Sequence, residues 1–308
     1  MKIVFLDALT LGDTSLSPIA ALGELVCYPT STPSEALARV GDCEVLIINK
    51  IRVDRPLLDA APRLRLVCEA ATGVNNIDLE ACAERGISVR NVAGYSTEPV
   101  VQQTFMHILS LMGNAPYFDE AVKSGAYSRS GIFCDLSKPV RELAGRTIGI
   151  IGMGTIGRRV ATVAEAFGMR VIYYSTSGTS HCTEYPSVSL VTLLAEADVI
   201  SIHAPLNDRT RGLIGAAELA QMKPDAILVN LGRGGIVDES ALAEAIDREA
   251  IGGFATDVFA VEPVPADNPL LHTRHPERLR FTPHTGWASV EARDRLVARI
   301  AENIAQGF

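Results

Sequence analysis

Three side chains in the C-terminal half, Arg233, Glu262 and His284, could together carry out acid–base chemistry on a molecule that contains a carboxylate. Each follows a short apolar run, so each is predicted to lie in a loop at the end of a strand. A guanidinium can bind a carboxylate through two parallel hydrogen bonds. An imidazole exchanges protons near neutral pH, and a glutamate beside it could fix its tautomer and stabilise its protonated form.

Taken singly, each of these residues has a more ordinary interpretation. An arginine in a glycine-rich turn, such as Arg233, is usually a surface charge. A histidine after a proline, such as His284, is as often a capping or packing residue, and Glu262-Pro263 could be an exposed turn. The functional interpretation therefore depends on the segments around them.

A second chemical signal is the run at residues 147–157, which reads Thr-Ile-Gly-Ile-Ile-Gly-Met-Gly-Thr-Ile-Gly. A β-type apolar run ends in three glycines, and a helical pattern follows at once. Strand, glycine turn and helix in this order suit a dinucleotide, because the helix N-terminus offers free N–H groups to the pyrophosphate. The predicted cofactor-binding residues here are Gly152, Met153, Gly154, Thr155, Ile156, Gly157 and Arg158, the arginine as a pyrophosphate ligand.

The end of the next predicted strand bears on which dinucleotide is bound. Such sites usually carry an Asp or Glu about 20 residues past the glycine loop, where it bonds the ribose 2′-hydroxyl. Here Ser175 holds that position and is followed by Thr176 and Ser177. A serine would not repel a 2′-phosphate, but no Arg or Lys adjoins it in the sequence, and His181 lies a few residues further on. NAD and NADP therefore both stay open as the cofactor.

Positioning these residues requires two α/β units. In the N-terminal third, predicted strands at 3–6, 44–49, 64–69 and 88–91 alternate with helices, which favours a small parallel sheet. From residue 147 onward at least six further βα segments follow, enough for a doubly wound sheet. The final predicted helix, residues 289–306, comes after the nucleotide unit, so it could return to the first.

Composition narrows the class of protein. A chain of 308 residues is longer than one hydrophobic core normally serves, and its net charge of −8 disfavours nucleic acid as a partner. The six cysteines are scattered without metal-binding spacing, which predicts reduced thiols and no bound metal. No apolar run reaches the length of a membrane span and the N-terminus lacks a signal h-region, so we expect a cytoplasmic protein.

Three further blocks resemble the signature of one enzyme family. They read Asn-Leu-Gly-Arg-Gly-Gly-Ile-Val-Asp at 230–238, Asp-Val-Phe-Ala-Val-Glu-Pro at 257–263 and Thr-Pro-His at 282–284. In this order, behind the glycine loop, they resemble the D-isomer-specific 2-hydroxyacid dehydrogenases over essentially the whole chain. The resemblance implies two Rossmann-like doubly wound α/β domains and a homodimer. The flavodoxin-like substrate domain would be residues 1–98 and 287–308, and the inserted NAD(P)-binding Rossmann domain residues 99–286.

The resemblance also implies roles for individual residues. Arg233 would bind the substrate carboxylate and polarise its carbonyl, His284 would exchange a proton with the keto oxygen, and Glu262 would pair with His284. Asp257 would contact the nicotinamide amide. Other predicted substrate-binding residues are Lys50 and, through backbone N–H groups, Thr72, Gly73 and Val74. The remaining predicted cofactor-binding residues lie in strand-end loops and are His203, Ala204, Pro205, Thr210, Leu231 and Gly232.

We therefore expect an NAD(P)-dependent oxidoreductase that interconverts a small 2-keto acid, such as hydroxypyruvate, glyoxylate or pyruvate, and its D-2-hydroxy acid. One alternative is a non-enzymatic, NAD(P)-sensing corepressor-like protein on the same fold. Another is a formate-dehydrogenase-like enzyme, which uses Gln where Glu262 stands. Gln102 and Gln103 also depart from the Glu-His that the family commonly has at this point, which leaves details of the dimer contact open.

Overall fold

The computed structural model describes residues 1–180 and 182–307. It divides into two compact units, Met1–Ser96 with Trp287–Phe308, and Thr97–Gly286. The predicted boundary after residue 98 lies two residues beyond the observed one. Each unit is built on one parallel sheet, which confirms the predicted α/β class. His181, considered above near the ribose position, lies outside the described residues.

The first unit contains a five-stranded sheet. Its strands are β1 (Lys2–Phe5), β2 (Glu24–Cys27), β3 (Val45–Ile48), β4 (Leu66–Glu69) and β5 (Ser88–Arg90), in the order β2-β1-β3-β4-β5. This is the flavodoxin-like order, with its switch point between β1 and β3. All residues of β3 and β4 are buried, so they read as continuous apolar runs. The sequence prediction missed β2, because this edge strand is partly exposed and short.

The helices of this unit begin at recognisable caps. They are α1 (Ser17–Ala20), α2 (Pro33–Val40), α3 (Arg55–Asp59) and α4 (Leu79–Glu84). At the start of α2, Thr32 and Glu35 form a reciprocal capping box and Pro33 occupies the first turn. Asp54 and Asp78 cap α3 and α4, where a side-chain oxygen of each accepts a hydrogen bond from a backbone N–H of the first turn.

The second unit contains a six-stranded sheet. Its strands are β6 (Thr147–Ile151), β7 (Arg170–Tyr174), β8 (Val199–Ile202), β9 (Ile227–Asn230), β10 (Gly253–Thr256) and β11 (Leu279–Phe281), in the order β11-β10-β9-β8-β6-β7. Beyond β7 a single parallel bridge joins Tyr173 to Ser187. The order reverses at β6, which has β7 on one side and β8 on the other. Ligands bind outside the carboxyl ends of the strands at such a switch point.

Seven helices belong to the second unit in the described residues. They are α5 (Thr97–Met112), α6 (Ala115–Lys123), α7 (Ala126–Ser130), α8 (Thr155–Ala166), α9 (Leu190–Glu196), α10 (Ala216–Leu219) and α11 (Glu239–Asp247). The long helix α5 packs on α8 and on the sheet through Val101, Phe105 and Ile108. Neither α6 nor α7 contains a buried residue, but α6 has helical apolar spacing at Phe118, Ala121 and Val122, which the sequence prediction overlooked.

The last helix, α12 (Val290–Ala305), belongs to the first unit although it follows the second in sequence. Ser289 caps it, and its buried face joins the core formed by β1, β3 and β4. The residues of that face are Ala292, Leu296, Val297, Ile300 and Ile304. Among the described residues, none of the helices is both long and apolar enough to span a membrane.

Candidate functional site

The glycine loop between β6 and α8 brings backbone segments unusually close together. Gly152 has φ of +95°, and a Cβ there would lie 2.9 Å from the backbone nitrogen of Ala204. A Cβ on Gly157 would lie 2.2 Å from the carbonyl oxygen of Gly152. Gly154 differs, because a Cβ there would meet nothing within 4 Å and no side chain caps the helix. The N-terminus of α8 therefore presents backbone N–H groups to open space, as a pyrophosphate requires.

A cavity of about 310 Å³ lies against this loop, within the second unit. It combines the glycine loop, the end of β7 and the end of β8. Its lining residues are Gly152, Met153, Gly154, Tyr173, Ser175, Thr176, Ser177, Thr179, Cys182, His203, Pro205 and Asn207. Seven of the predicted cofactor-binding residues thus line one cavity, and four residues with hydroxyl groups follow β7 in its lining.

His203 is an unpaired polar group in the wall of that cavity. Its Nε2 lies 2.8 Å from Ser201 Oγ, whereas Nδ1 is buried and has no hydrogen-bond partner among the described residues. Burial lowers the pKa of His203 to about 3, so its imidazole is neutral at physiological pH. A buried polar atom left unpaired costs free energy, which a bound polar ligand would recover. Together with the glycine loop, this atom fits a dinucleotide in the cavity.

Several predicted cofactor-binding residues are placed elsewhere. Thr210 is fully buried, donates its hydroxyl proton to Pro205 O at 2.7 Å and accepts from Asn207 N at 2.8 Å. It closes the loop after β8 from inside, so its predicted contact with the cofactor is not supported. Ala204 and Leu231 are buried as well, and a Cβ on Gly232 would lie 2.8 Å from Ala204 O. These residues bring two loop backbones together and do not line the cavity.

Arg158, predicted as a pyrophosphate ligand, is engaged with an acidic side chain. Its Nη1 donates to Glu184 Oε2 at 3.1 Å and to Cys182 Sγ at 3.3 Å. The charge of Arg158 is therefore offset within the protein. The part of α8 that suits a phosphate group is its uncapped N-terminus.

His284 and Glu262 form a hydrogen-bonded pair at the ends of neighbouring strands. Glu262 follows β10 and His284 follows β11, and their Oε2 and Nδ1 atoms lie 2.6 Å apart. Phe259 N donates to the other carboxylate oxygen of Glu262 at 2.9 Å. Among the described residues His284 Nε2 has no hydrogen-bond partner, and the side chain is 30% exposed. The pair thus presents one imidazole nitrogen outward while the carboxylate orients the ring.

Arg233 stands exposed in a tightly built turn after β9. The side chain of the buried Asn230 accepts from Gly232 N at 3.0 Å and donates to Arg233 O at 2.9 Å. A Cβ on Gly234 would lie 1.8 Å from Phe259 O, so only glycine allows this turn to meet the loop after β10. The Arg233 guanidinium donates to the neighbouring Gly232 O and has no acidic partner among the described residues. Arg233, Glu262 and His284 therefore follow three adjacent strands at the carboxyl edge of one sheet.

Asp257, predicted to contact the nicotinamide, holds the loop that carries His284. Its carboxylate is buried and accepts from Thr285 N at 2.8 Å and Gly286 N at 2.7 Å. It also accepts from Thr282 Oγ1 at 2.6 Å and from Gln103 Nε2 at 2.7 Å. Four donors nearly fill the capacity of one carboxylate. Gln103 was noted in the sequence only as a departure from the family pattern, and its role here depends on a contact between distant segments.

The remaining predicted substrate residues belong to the first unit. Lys50 follows β3, and its side chain is exposed. Thr72, Gly73 and Val74 follow β4, where the Thr72 hydroxyl donates to Val92 O at 3.0 Å. Within the described residues, the N–H groups of Gly73 and Val74 have no acceptor. A loop with free N–H groups at a strand end can bind a carboxylate.

Two buried carboxyl groups near this loop were not singled out from the sequence. Glu69, the last residue of β4, is fully buried, and Asn76 Nδ2 donates to its Oε2 at 3.0 Å. Asp7, which follows β1, accepts from Asn49 N at 3.0 Å and Lys50 N at 2.6 Å. Burial raises the pKa of both groups, that of Glu69 to about 8. Their position at strand ends could have marked them as candidate site residues in the sequence. Their burial depends on the tertiary fold, so the sequence did not show it.

Comparison with known proteins gives a consistent result. Residues 105–286 match the family model described as D-isomer specific 2-hydroxyacid dehydrogenase, NAD binding domain. The chain is 36% identical over 307 residues to the glycerate dehydrogenase of Methylorubrum extorquens, covering 98% of this chain and 95% of that protein. It is 32% identical over 313 residues to the hydroxypyruvate reductase of Blautia hydrogenotrophica, covering 99% and 96%.

A solved structure extends the comparison to three dimensions. The NADPH-dependent glyoxylate/hydroxypyruvate reductase of Sinorhizobium meliloti, in complex with citrate, superimposes with a TM-score of 0.84. It is 26% identical in sequence, and the match covers 99% of this chain and 93% of that one.

Proposed function

Because the chain belongs to the D-isomer-specific 2-hydroxyacid dehydrogenases, we propose that it interconverts a small 2-keto acid of the glyoxylate and hydroxypyruvate class and the corresponding D-2-hydroxy acid. The observation that carries the proposal is the 2.6 Å pair of His284 Nδ1 and Glu262 Oε2, with Nε2 of the same ring turned outward. This is the arrangement of an imidazole that exchanges a proton with a bound molecule. A bound nicotinamide dinucleotide supplies the hydride to the keto carbon or accepts it in the reverse direction.

His284 acts as the acid in the direction of reduction. Charge develops on the keto oxygen during reduction, and a proton held on His284 Nε2 is donated to that oxygen. Glu262 accepts a hydrogen bond from Nδ1, which fixes the ring and offsets the charge of the protonated imidazole. In the oxidation direction the neutral ring takes the proton of the hydroxyl group instead.

Arg233 binds the carboxylate of the substrate. Arg233 follows the strand next to the one that Glu262 follows, and its guanidinium is exposed. It has no acidic partner among the described residues, so its N–H donors are available. A bidentate guanidinium–carboxylate contact also orients the neighbouring carbonyl for protonation. In the first unit, the N–H groups of Gly73 and Val74, which have no acceptor among the described residues, and the side chain of Lys50 stay as the predicted carboxylate-binding groups of that unit.

The second unit binds the dinucleotide. The N–H groups at the start of α8 would hold the pyrophosphate, and the cavity lined by Met153, Ser175 and His203 would hold the adenosine part. Asp257 positions the His284 loop and remains a candidate contact for the nicotinamide amide through Oδ2, which accepts one described hydrogen bond.

The two alternatives predict different behaviour. A non-enzymatic sensor would bind the dinucleotide without turnover, and it would not need the His284–Glu262 pair. A formate-dehydrogenase-like enzyme would carry Gln in place of Glu262, whereas this chain has a glutamate bonded to the histidine. The pair therefore favours 2-keto acid reduction over both.

The test is reduction of glyoxylate, hydroxypyruvate and pyruvate by the purified protein, followed as the loss of NADPH or NADH absorbance. We expect turnover with at least one of these acids. We predict that His284→Ala lowers kcat by roughly 10²- to 10⁴-fold, the usual contribution of a general acid, while the dinucleotide still binds.

The chain offers a matched control in a second His–Glu pair. His275 Nδ1 lies 3.3 Å from Glu277 Oε1 near the start of β11, remote from the carboxyl edge of the sheet. His275→Ala should leave kcat within about twofold, since exposed pairs of this kind contribute little. An unchanged kcat in His284→Ala, or binding without turnover of any 2-keto acid in the panel, would refute the proposed mechanism.

A further inference from the structure

The structure brings an arginine that the sequence does not reveal into contact with Ser177, one of the residues that line the cavity. Arg209 lies in the loop after β8, and its Nη1 donates to Ser177 O at 2.6 Å, across 32 residues of sequence. The contact lies beside Gly178, where a Cβ would meet Arg209 Nη1 at 3.4 Å. No arginine or lysine adjoins Ser175 in the sequence, but the fold supplies one.

The charge of Arg209 is not offset by a carboxylate among the described residues. Its described contacts are Ser177 O, for the guanidinium, and Asn207 Oδ1, for the backbone N–H. Arg158 is different, because Glu184 Oε2 accepts from its Nη1 at 3.1 Å. A guanidinium has five N–H donors, so most of those on Arg209 remain available for an anion.

The segment beneath Arg209 is rich in hydroxyl groups and has no acidic side chain. Ser175 and Ser177 donate to Thr179 O at 2.7 Å and 2.9 Å, which curls residues 175–179 into a compact turn. Thr176 lines the cavity together with these residues. Among the described residues, the cavity lining includes no Asp or Glu that would repel an anion.

The position of this turn relates it to the cofactor. In dinucleotide sites the residue at the end of the second strand faces the 2′-position of the adenine ribose. Here that residue is Ser175, at the end of β7, in the same cavity as Gly152 and Gly154 of the phosphate-facing loop. An anion at the 2′-position would therefore lie over the turn that Arg209 contacts.

From these contacts we propose that Arg209 and the hydroxyl turn at residues 175–179 form a binding site for the 2′-phosphate, which makes NADPH the preferred cofactor. The inference rests on the proposed function, since it places a dinucleotide in the cavity, but it concerns a group that takes no part in hydride transfer. It assigns the specificity to the loop after β8 and not to a residue next to Ser175. A guanidinium suits this role because it binds phosphate oxygens bidentately.

The proposal is tested by binding, independently of turnover. Dissociation constants of NADPH, NADH, 2′,5′-ADP and AMP are measured by titration calorimetry for the native chain and for Arg209→Ala. We expect the native chain to bind NADPH at least tenfold more tightly than NADH. In Arg209→Ala the Kd of NADPH and of 2′,5′-ADP should rise roughly 10- to 100-fold, as for loss of a charge-assisted hydrogen-bond pair, with NADH changed by less than about twofold.

Two further variants sharpen the result. Arg248→Ala removes an equally exposed arginine that pairs with Glu244 on α11, and it should leave all four constants unchanged. Ser175→Asp places a carboxylate at the 2′-position and should weaken NADPH by at least tenfold while NADH binding is kept or improved. The advantage of NADPH over NADH should also shrink with added salt, because it is electrostatic.

The outcomes separate this inference from the proposed function. A native preference for NADH, or an unchanged Kd of NADPH in Arg209→Ala, would overturn the role of Arg209. If the chain still turned over a 2-keto acid with NADH, the proposed function would stand. Failure of the native chain to bind either dinucleotide would overturn both.

Discussion

Gln103 connects the long helix α5 to the loop that carries His284. Its Nε2 donates to the buried Asp257 Oδ1, which also accepts from Thr285 N next to His284. His107, one turn further along α5, lies 3.2 Å from Thr282 Oγ1 through Nε2 and reaches the same loop. Burial lowers the pKa of His107, so this ring adds no positive charge near neutral pH. Gln103 is thus a positioning residue that acts on His284 through Asp257.

We predict that Gln103→Ala lowers the free energy of unfolding by about 1–3 kcal/mol, because a buried carboxylate loses a donor. It should also lower kcat more than it raises KM, since the proposed carboxylate contact at Arg233 is untouched. Gln102→Ala is the matched control, because Gln102 is exposed on the same helix turn and should change neither quantity. Urea unfolding and steady-state kinetics measure both. Equal stability of the two variants would contradict the role of Gln103.

How far single residues could be predicted depends on where their partners lie in sequence. Arg233, Glu262 and His284 each sit in a motif that identifies them, and the structure places all three after adjacent strands. Their roles in turnover remain predictions. Gln103 and Arg209 carry no such motif, because their partners Asp257 and Ser177 are brought to them by tertiary contacts. Thr210 shows the opposite limit of a motif, since the structure buries this polar residue inside the loop after β8, where the sequence alone predicted a contact with the cofactor.

At the scale of elements, the ends of β1 and β4 bring two carboxyl groups into the core of the first unit. Glu69 Oε1 is buried and has no hydrogen-bond partner among the described residues, and Asp7 disfavours the ionisation of Glu69 while Lys50 favours it. With its pKa raised to about 8, Glu69 is protonated in the folded chain at neutral pH but ionised in the unfolded chain. The stabilising contribution of protonated Glu69 is therefore fully present below its ordinary pKa of 4.5 and is lost as pH rises through about 8.

We predict that Glu69→Gln removes this loss of stability, because glutamine mimics the protonated acid and can still accept from Asn76 Nδ2. Each pH unit between the two pKa values costs the native chain about 1.4 kcal/mol relative to this variant. Urea unfolding at pH 5, 7 and 9 measures the difference. Glu80→Gln, an exposed change on α4 of the same unit, should keep the native pH dependence. A Glu69→Gln variant that follows the native curve would show that Glu69 does not control it.

The elements were predictable where burial imposes a clear pattern. Strands buried on both faces, such as β3 and β8, read as apolar runs. The edge strand β2 was missed because half-exposed residues give no such run. None of the residues of α6 and α7 is buried, and the helical apolar spacing that α6 does show at Phe118, Ala121 and Val122 was overlooked. Their contacts lie outside the core of the unit, so the apolar pattern of that core carries no information on them.

At the scale of the whole molecule, residues 130–140 form an apolar surface on the second unit. Phe133 is 92% exposed and Leu136 is 84% exposed, with Ile132 and Val140 also exposed. Yet the segment is held in place, since Tyr127 Oη donates to Phe133 O at 2.6 Å and Asn114 Nδ2 to Pro139 O at 2.7 Å. A fixed segment that exposes several large apolar side chains is typical of a protein–protein interface. It is the surface on which we expect the homodimer to form.

We predict that the chain is a dimer and that Phe133→Asp with Leu136→Asp makes it monomeric, because two carboxylates would be buried unpaired at the contact. Light scattering during size-exclusion chromatography should give twice the 32.9 kDa of one chain for the native protein and that single mass for the double variant. Val191→Asp changes a separate apolar residue that is 61% exposed on α9 and should leave the dimer intact. Since both substituted side chains are exposed, the Tm of the double variant should equal that of the native chain once the stabilisation by dimer formation is subtracted. A native chain that stays monomeric at micromolar concentration, or a double variant that stays dimeric, would exclude this surface as the contact.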